Sequence, residues 1–228
     1  IRGRNRFQIQ NDPIWKTNQN VMDAQLIGDK ITLIEMIEKI YNYDNEHDHI
    51  INFDKFFQNG RSFFTVIVND FPEISEVCDF LIEHGADPNK ADKNGNYPLE
   101  HAIRINSLGM ATSLLNSNKF NLNQTKNGFS YLHLAAQNKD PAILSLLIEN
   151  AGIDINSVDE RGETPLMHAC RSCSIECINC LFRKDNLDYL HRNKKGKDAL
   201  DIFIPLPSDK KESIKKDRTK FHDTLCSI

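Results

Sequence analysis

The sequence predicts an all-α repeat solenoid of about six helix–turn–helix units with hairpin-like finger loops. Three observations carry that reading. A glycine recurs at Gly60, Gly95, Gly128, Gly162 and Gly196, with gaps of 35, 33, 34 and 34 residues, and a fixed period of this length is the signature of stacked repeats. The residues after each glycine are alike: Ser62-Phe63-Phe64, Tyr97-Pro98-Leu99, Ser130-Tyr131-Leu132-His133, Thr164-Pro165-Leu166 and Asp198-Ala199-Leu200. A second block closes the units, clearest in the run from Phe80 through Gly85-Ala86-Asp87-Pro88-Asn89, and looser from Leu146 through Gly152-Ile153-Asp154-Ile155-Asn156.

Each part of a unit has a physical reason. Pro98 and Pro165 suit the first turn of a helix, where a missing N–H has no intrahelical acceptor to lose. Thr164 and Ser130 stand just before that turn and can cap its free N–H groups. Ala102, Ala135, Ala136 and Ala169 fall at one offset and let a short inner helix press closely on its neighbour. Leu114, Leu115, Leu146 and Leu147 supply bulk on a second, outer helix. Gly85 and Gly152 end that helix in the positive-φ conformation that other residues resist. Asp87, Asn89, Asp92 and Asn94 then suit the tight turn of a finger.

In chain order, residues 1–20 carry no repeat register and read as an arm or linker, with Arg2, Arg4 and Arg6. Residues 21–228 form the repeat domain, in units of about 21–57, 58–91, 92–125, 126–158, 159–192 and 193–228. The first unit lacks the opening motif but places Ala24, Gly28-Asp29 and the Leu33/Ile34/Ile37 stripe in phase. A long connection from Tyr41 to Gln58 follows, and Phe53, Phe56, Phe57, Phe63, Phe64, Phe71 and Phe80 crowd the front end, which makes it a candidate second interface if any stay exposed. The last unit is interrupted by Ile204-Pro205-Leu206-Pro207 and closes with a capping helix near Asp209–Leu225, laying Ile214, Phe221 and Leu225 on unit six.

These residues resemble the ankyrin repeat, whose pattern runs Gly-x-Thr-Pro-Leu-His, then Ala-Ala, then a Leu-Leu pair ending in Gly-Ala-Asp-x-Asn. Gly162 to Leu166 and Gly85 to Asn89 lie close to it, and the terminal units are degenerate, as caps must be. The resemblance covers nearly the whole chain. It implies a curved stack with a concave side whose finger tips and inner-helix edges bind a partner protein, and it gives His133 the role of hydrogen-bonding the opening turns of adjacent repeats.

Composition narrows the function classes. Of 228 residues 39% are hydrophobic and only 18 are Gly or Pro, too apolar for disorder. Apolar runs of a few residues fall far short of the ~20 needed to cross a bilayer, so membrane insertion is not expected. A net charge of -4 and a pI near 6.1 speak against a nucleic-acid binder. Six cysteines, four of them in one short stretch, point to reduced thiols in the cytoplasm or nucleus rather than a disulfide scaffold. The start at Ile1, with no initiator Met and no leader, suggests a segment of a longer regulatory protein.

Candidate chemistry is sparse. Cys170, Cys173, Cys177 and Cys180 form two CxxC pairs, the grammar of a metal or redox site, which makes a metal- or redox-responsive module the alternative function. Only three residues separate the pairs, and repeat phase puts Cys170 at a small-alanine position, Cys173 at a turn-glycine position and Cys177 and Cys180 on an outer apolar stripe, so core packing is the expectation. His133 and His168 near Cys170 could be read as a nucleophile pair, but no orienting third group is legible. His47 and His49 lie in an acidic loop, and the run from Lys210 to Lys220 reads as a solvated helix face. No phosphate-cradling loop, HExxH pair or acyl-transfer elbow occurs. The chain is expected to be no enzyme, to need no cofactor and to hold no metal.

Function then falls to side chains that stacking does not use. By phase these are Lys93, Asn94, Asn96, Arg104 and Ile105; Lys126, Asn127, Phe129, Gln137 and Asn138; Glu160, Arg161, Glu163, Arg171 and Ser172; and Lys194, Lys195 and Lys197. The partner-binding set is Lys93, Asn96, Arg104, Lys126, Phe129, Asn138, Glu160, Arg161, Glu163, Arg171, Lys194 and Lys195. The wider surface carries eight basic side chains against two acidic ones, which predicts a partner protein with an acidic segment. Phe129 is the expected apolar anchor.

Overall fold

The computed structural model describes Thr65 and residues 75–117, 128–150, 152–203 and 218–226. The N-terminal arm, the first unit, most of the phenylalanine-rich front end, His47, His49, Lys126, Asn127, Ile214 and the lysine run from 210 to 216 lie outside these residues. By contacts the chain divides into two compact units, Ile1–Pro98 and Leu99–Ile228.

The described residues are helical, with no strand among them. The compact unit Ile1–Pro98 shows α1, Ser75–Glu83, which buries Val77, Cys78 and Leu81. It ends at Gly85, φ 94°, where the N–H of Ala86 reaches back to the Leu81 carbonyl at 2.9 Å and closes the helix end. Phe80 stacks on His84 at 3.9 Å between ring centroids.

The rest of the chain holds α2 (Pro98–Arg104), α3 (Leu108–Asn116), α4 (Tyr131–Ala135), α5 (Ala142–Glu149), α6 (Pro165–Arg171), α7 (Ile175–Phe182), α8 (Ala199–Phe203) and α9 (Arg218–Cys226). In the second unit α4, α6 and α8 pack in one row, while α3, α5, α7 and α9 pack in another, and each inner helix also meets its own outer one. The helices are too short to stand alone, so packing between rows holds them.

Local sequence sets where each begins and ends. Thr164 is extended (φ −88°, ψ 164°), accepts from the Met167 N–H and places Pro165 at the first helical position of α6. Asn106 and Cys173, 67 residues and two periods apart, both take a positive φ, 55° and 54°. Behind each, the next N–H bonds five residues back, Ser107 to Ala102 and Ser174 to Ala169, at 2.9 and 3.0 Å. This terminus closes the inner helix and turns the chain into α3 or α7. Cys173 therefore stands where a glycine is expected. The alanines meet their purpose too: Ala102, Ala135, Ala136 and Ala169 are all sealed from water. Leu114 and Leu147 are fully buried, while Leu115 and Leu146 are only half-buried.

The turn glycines Gly95, Gly128, Gly162 and Gly196 share φ between 70 and 77°. Gly128 is under a second constraint, because a Cβ there would stand 2.9 Å from the Val158 carbonyl oxygen of the next finger. Gly128→Ala is expected to lower stability by about 1–3 kcal/mol. Gly196→Ala, at the same φ but facing open space, isolates the backbone part, and urea denaturation of the two variants measures the difference.

The last helix packs on both α7 and α8, so α9 occupies the outer-helix place beside α8. Phe221 and Leu225 are fully buried. Arg218 explains the attachment, because its guanidinium donates to the Phe182 and Lys184 carbonyls at 2.9 and 2.6 Å, at the open end of α7.

Candidate functional site

The finger loops are built by one device. Asp92 Oδ1 accepts the N–H groups of Asn94 and Asn96, Asp159 Oδ1 those of Arg161 and Glu163, and Asn193 Oδ1 those of Lys195 and Lys197. All six bonds lie between 2.8 and 3.0 Å. A side-chain oxygen that gathers two backbone donors fixes the turn and aims the next residues outward.

Neighbouring fingers and inner helices are then stitched together. The Ser130 N–H donates to His133 Nδ1 at 3.1 Å, so Nε2 carries the ring proton and donates to the Glu163 carbonyl at 2.9 Å. His133 thus joins the opening turns of two repeats, as the resemblance implies. The Lys194 N–H donates to the Arg161 carbonyl at 3.0 Å. His168 is held between Asp159 Oδ2 at 3.1 Å and the Gln137 amide at 2.9 Å. Burial lowers the pKa of His133 to about 4 and lowers that of His168, the latter partly offset by its bond to Asp159. Burial would raise the Asp159 pKa, but the N–H of Glu163, His168 and the N–H of Arg161 together bring it below the ordinary value. The two histidines are neutral and the aspartate is ionised.

These bonds change what several of the selected residues do. Phe129 is not a free finger-tip aromatic. It stacks on His133 and meets His168 edge-on, at 5.5 and 5.3 Å between centroids, and is half-buried. Asn138 donates to the Ile103 carbonyl at 2.9 Å, while its own carbonyl accepts from Ser174 Oγ at 2.6 Å and the Cys177 thiol at 3.2 Å, so it ties three repeats together. Glu163 is only 4% exposed. Its Oε1 accepts from Arg171 at 2.5 Å and from Asn193 at 3.2 Å, and its Oε2 lies 3.6 Å from Arg161. A carboxylate can be sealed here because two guanidiniums and an amide surround it.

The other selected residues keep their exposure. Lys93, Arg104, Glu160, Arg161, Arg171, Lys194 and Lys195 are all exposed, and Asn96 is half-buried in its finger. Lys93 and Asn96 belong to the first unit, the rest to the second. Ile105 and Leu108, at 38% and 45% exposure, are the bare apolar side chains near Arg104 in sequence, with Val158 and Leu190 further along.

The cysteine pairs do not converge. Cys170, Cys177 and Cys180 are buried at separate places, Cys173 is exposed at its turn, and all six cysteines described are free thiols. Burial raises the pKa of Cys170, Cys177 and Cys180, keeping them protonated, the form that neither binds a metal nor attacks. The metal- or redox-responsive alternative has no geometric support in this cluster. Among the described residues the groups that do gather are Asp159, Glu163 and His168, with one ligand atom of each within 4.8 Å of the others, and Arg161 and Arg171 already supply the positive charge there.

Sequence reasoning missed this network. Its legible trace is the order Asp159, Arg161, Glu163, His168, Arg171, alternating charges that converge only when the finger folds back over the start of α6.

Comparison with known proteins supports the same architecture. The family described as Ankyrin repeats (3 copies) matches residues 66–159 and 132–204. An ankyrin repeat protein of fowlpox virus (strain NVSL) is 33% identical over 99 residues, 43% of this chain and 68% of its own length. The ankyrin repeat protein R96 of Acanthamoeba polyphaga mimivirus is 31% identical over 111 residues, and alpha-latrotoxin-Lh1a of Latrodectus hasselti 27% over 191. These matches take in 49% and 70% of this chain but only 11% and 14% of those two proteins. Among solved structures, the ankyrin repeat domain of Bcl-3 superposes with a TM-score of 0.68 at 20% identity, covering 90% of this chain and 84% of that one. Among the described residues no helix is long and apolar enough to cross a membrane.

Proposed function

The chain belongs to the ankyrin-repeat family, and from that premise we propose that it is the targeting or scaffolding segment of a larger regulatory protein, binding an acidic stretch of a partner through its inner-helix edges and finger tips. Ankyrin repeats are in general protein–protein interaction modules, and the fold is typically not enzymatic. The observation that carries the finer reading is the difference between buried and exposed charge in the second unit. The acidic side chains of its network, Asp159 and Glu163, are sealed, while Arg104, Arg161, Arg171, Lys194 and Lys195 stand in water. Glu160 is the exposed acidic member of the set, so the surface is basic in excess, and an excess of one sign speeds encounter with the opposite sign. Phe129 and Asn138, turned inward, leave the binding set, and Ile105 beside Arg104 replaces Phe129 as the apolar contact. The proposal places the module in the cytoplasm or nucleus.

The triple variant Arg104→Glu, Lys194→Glu, Lys195→Glu changes only exposed side chains. It is expected to keep the melting curve within about 0.5 kcal/mol and to lose the proteins captured by the intact chain from a cell extract. Capture of the same proteins at undiminished yield overturns the surface assignment.

A further inference from the structure

We infer that Arg161 and Arg171 form a preset carboxylate clamp, two guanidiniums held in place from below by buried Glu163 and Asp159 so that their outer N–H groups receive a glutamate or aspartate side chain of a partner peptide. The inference rests on the interaction reading above and names the chemistry at its centre.

Both side chains are well exposed, 60% for Arg161 and 50% for Arg171, yet neither is loose. Arg161 directs Nε to Asp159 Oδ2 at 3.4 Å and Nη2 to Glu163 Oε2 at 3.6 Å. Arg171 directs Nη2 to Glu163 Oε1 at 2.5 Å. Arg171 is therefore hydrogen-bonded to one oxygen of the sealed carboxylate, while Arg161 is hydrogen-bonded to Asp159 and pairs with the other Glu163 oxygen by charge alone, that oxygen having no hydrogen-bond partner. That carboxylate is fixed in turn by the Asn193 amide at 3.2 Å, and Asp159 by His168 and two backbone N–H groups. A guanidinium carries five N–H donors in a rigid fork, and among the described residues no acceptor is found for those that remain. They face water.

Fixing a long side chain normally costs a binding site rotamer freedom. Here folding has already fixed both forks, so an incoming carboxylate meets donors in place. The fork matches a planar carboxylate in two parallel hydrogen bonds, which an ammonium cannot reproduce. The backbone bond from Lys194 to the Arg161 carbonyl sets the next finger beside the clamp, where Lys194 and Lys195 add a steering field. Together these fit an extended acidic peptide.

The probe is a fluorescein-labelled octaglutamate peptide, followed by anisotropy at low salt, with octaglutamine as control. The wild-type chain is expected to bind octaglutamate and not octaglutamine. Glu163→Gln raises the net charge by one, so attraction by charge alone would tighten binding, whereas loss of the anchor should weaken it ~5–10-fold. Arg161→Lys with Arg171→Lys keeps every charge and removes both forks, and the same loss is expected. Should Glu163→Gln fail to fold, as melting would show, the lysine pair decides. Unchanged or tighter binding by either folded variant overturns the clamp, as does failure of the wild type to bind octaglutamate. Loss of captured partners in the Arg104/Lys194/Lys195 variant would still uphold the wider interaction reading in that case.

Discussion

Phe221→Ala should cost about 3–5 kcal/mol, the range for emptying a sealed aromatic site that cannot collapse. Phe221 has no exposed surface and joins a ring cluster with Tyr189 at 5.1 Å and Phe182 at 6.2 Å between centroids. Nothing larger than the remaining helix side chains is at hand to fill the space. Repeat arrays lose structure by neighbouring units, so the damage should spread from α9 to α7 and spare α4. Hydrogen exchange would show amides of 218–226 and 175–182 losing protection first, with a lowered urea midpoint by circular dichroism. An unchanged midpoint would mean that α9 contributes little to the stack.

Acidification should remove stability over a window set by His133. Unfolded histidine titrates near 6.5, whereas desolvation holds folded His133 to about 4. Between those values the unfolded chain binds a proton that the folded chain refuses, so stability is complete above pH 6.5 and falls as pH drops toward 4. The full window is worth up to about 3 kcal/mol. His168 is shifted in the same direction and adds to the loss. Asp159, whose folded pKa is lowered, contributes separately, losing its share only below the ordinary aspartate range. Urea midpoints at pH 7 and 5 measure the slope. His133→Gln should flatten it and lower stability at pH 7, because the link to the Glu163 carbonyl is lost as well. A slope identical in the variant would place the proton elsewhere.

Repeat phase made the helices legible because it is a chain-wide signal. Thr164, Pro165, Ala169 and the turn glycines each take the conformation that their own chemistry favours, and even Cys173 is understood once the period puts it at a glycine position. Exposure on the fingers was harder to read. Phe129, Asn138 and Glu163 look alike in sequence to free surface residues, and each is turned inward by a group about one repeat away: His168 for Phe129, Ile103 for Asn138, Asn193 for Glu163. No local pattern encodes a neighbour's neighbour. The four cysteines imitate a ligand set in their spacing, but repeat phase already assigned three to packing and Cys173 to a turn, which is where they lie.

Asn193 has one more implication. It occupies the position that Asp92 and Asp159 hold in their own fingers, and only an amide can both gather the loop and donate to Glu163. Exchanging one repeat for another, a common way to re-engineer such arrays, would bring an aspartate against that carboxylate. The units of this protein are therefore not interchangeable bricks: the order in which they are laid is written into single atoms at their seams.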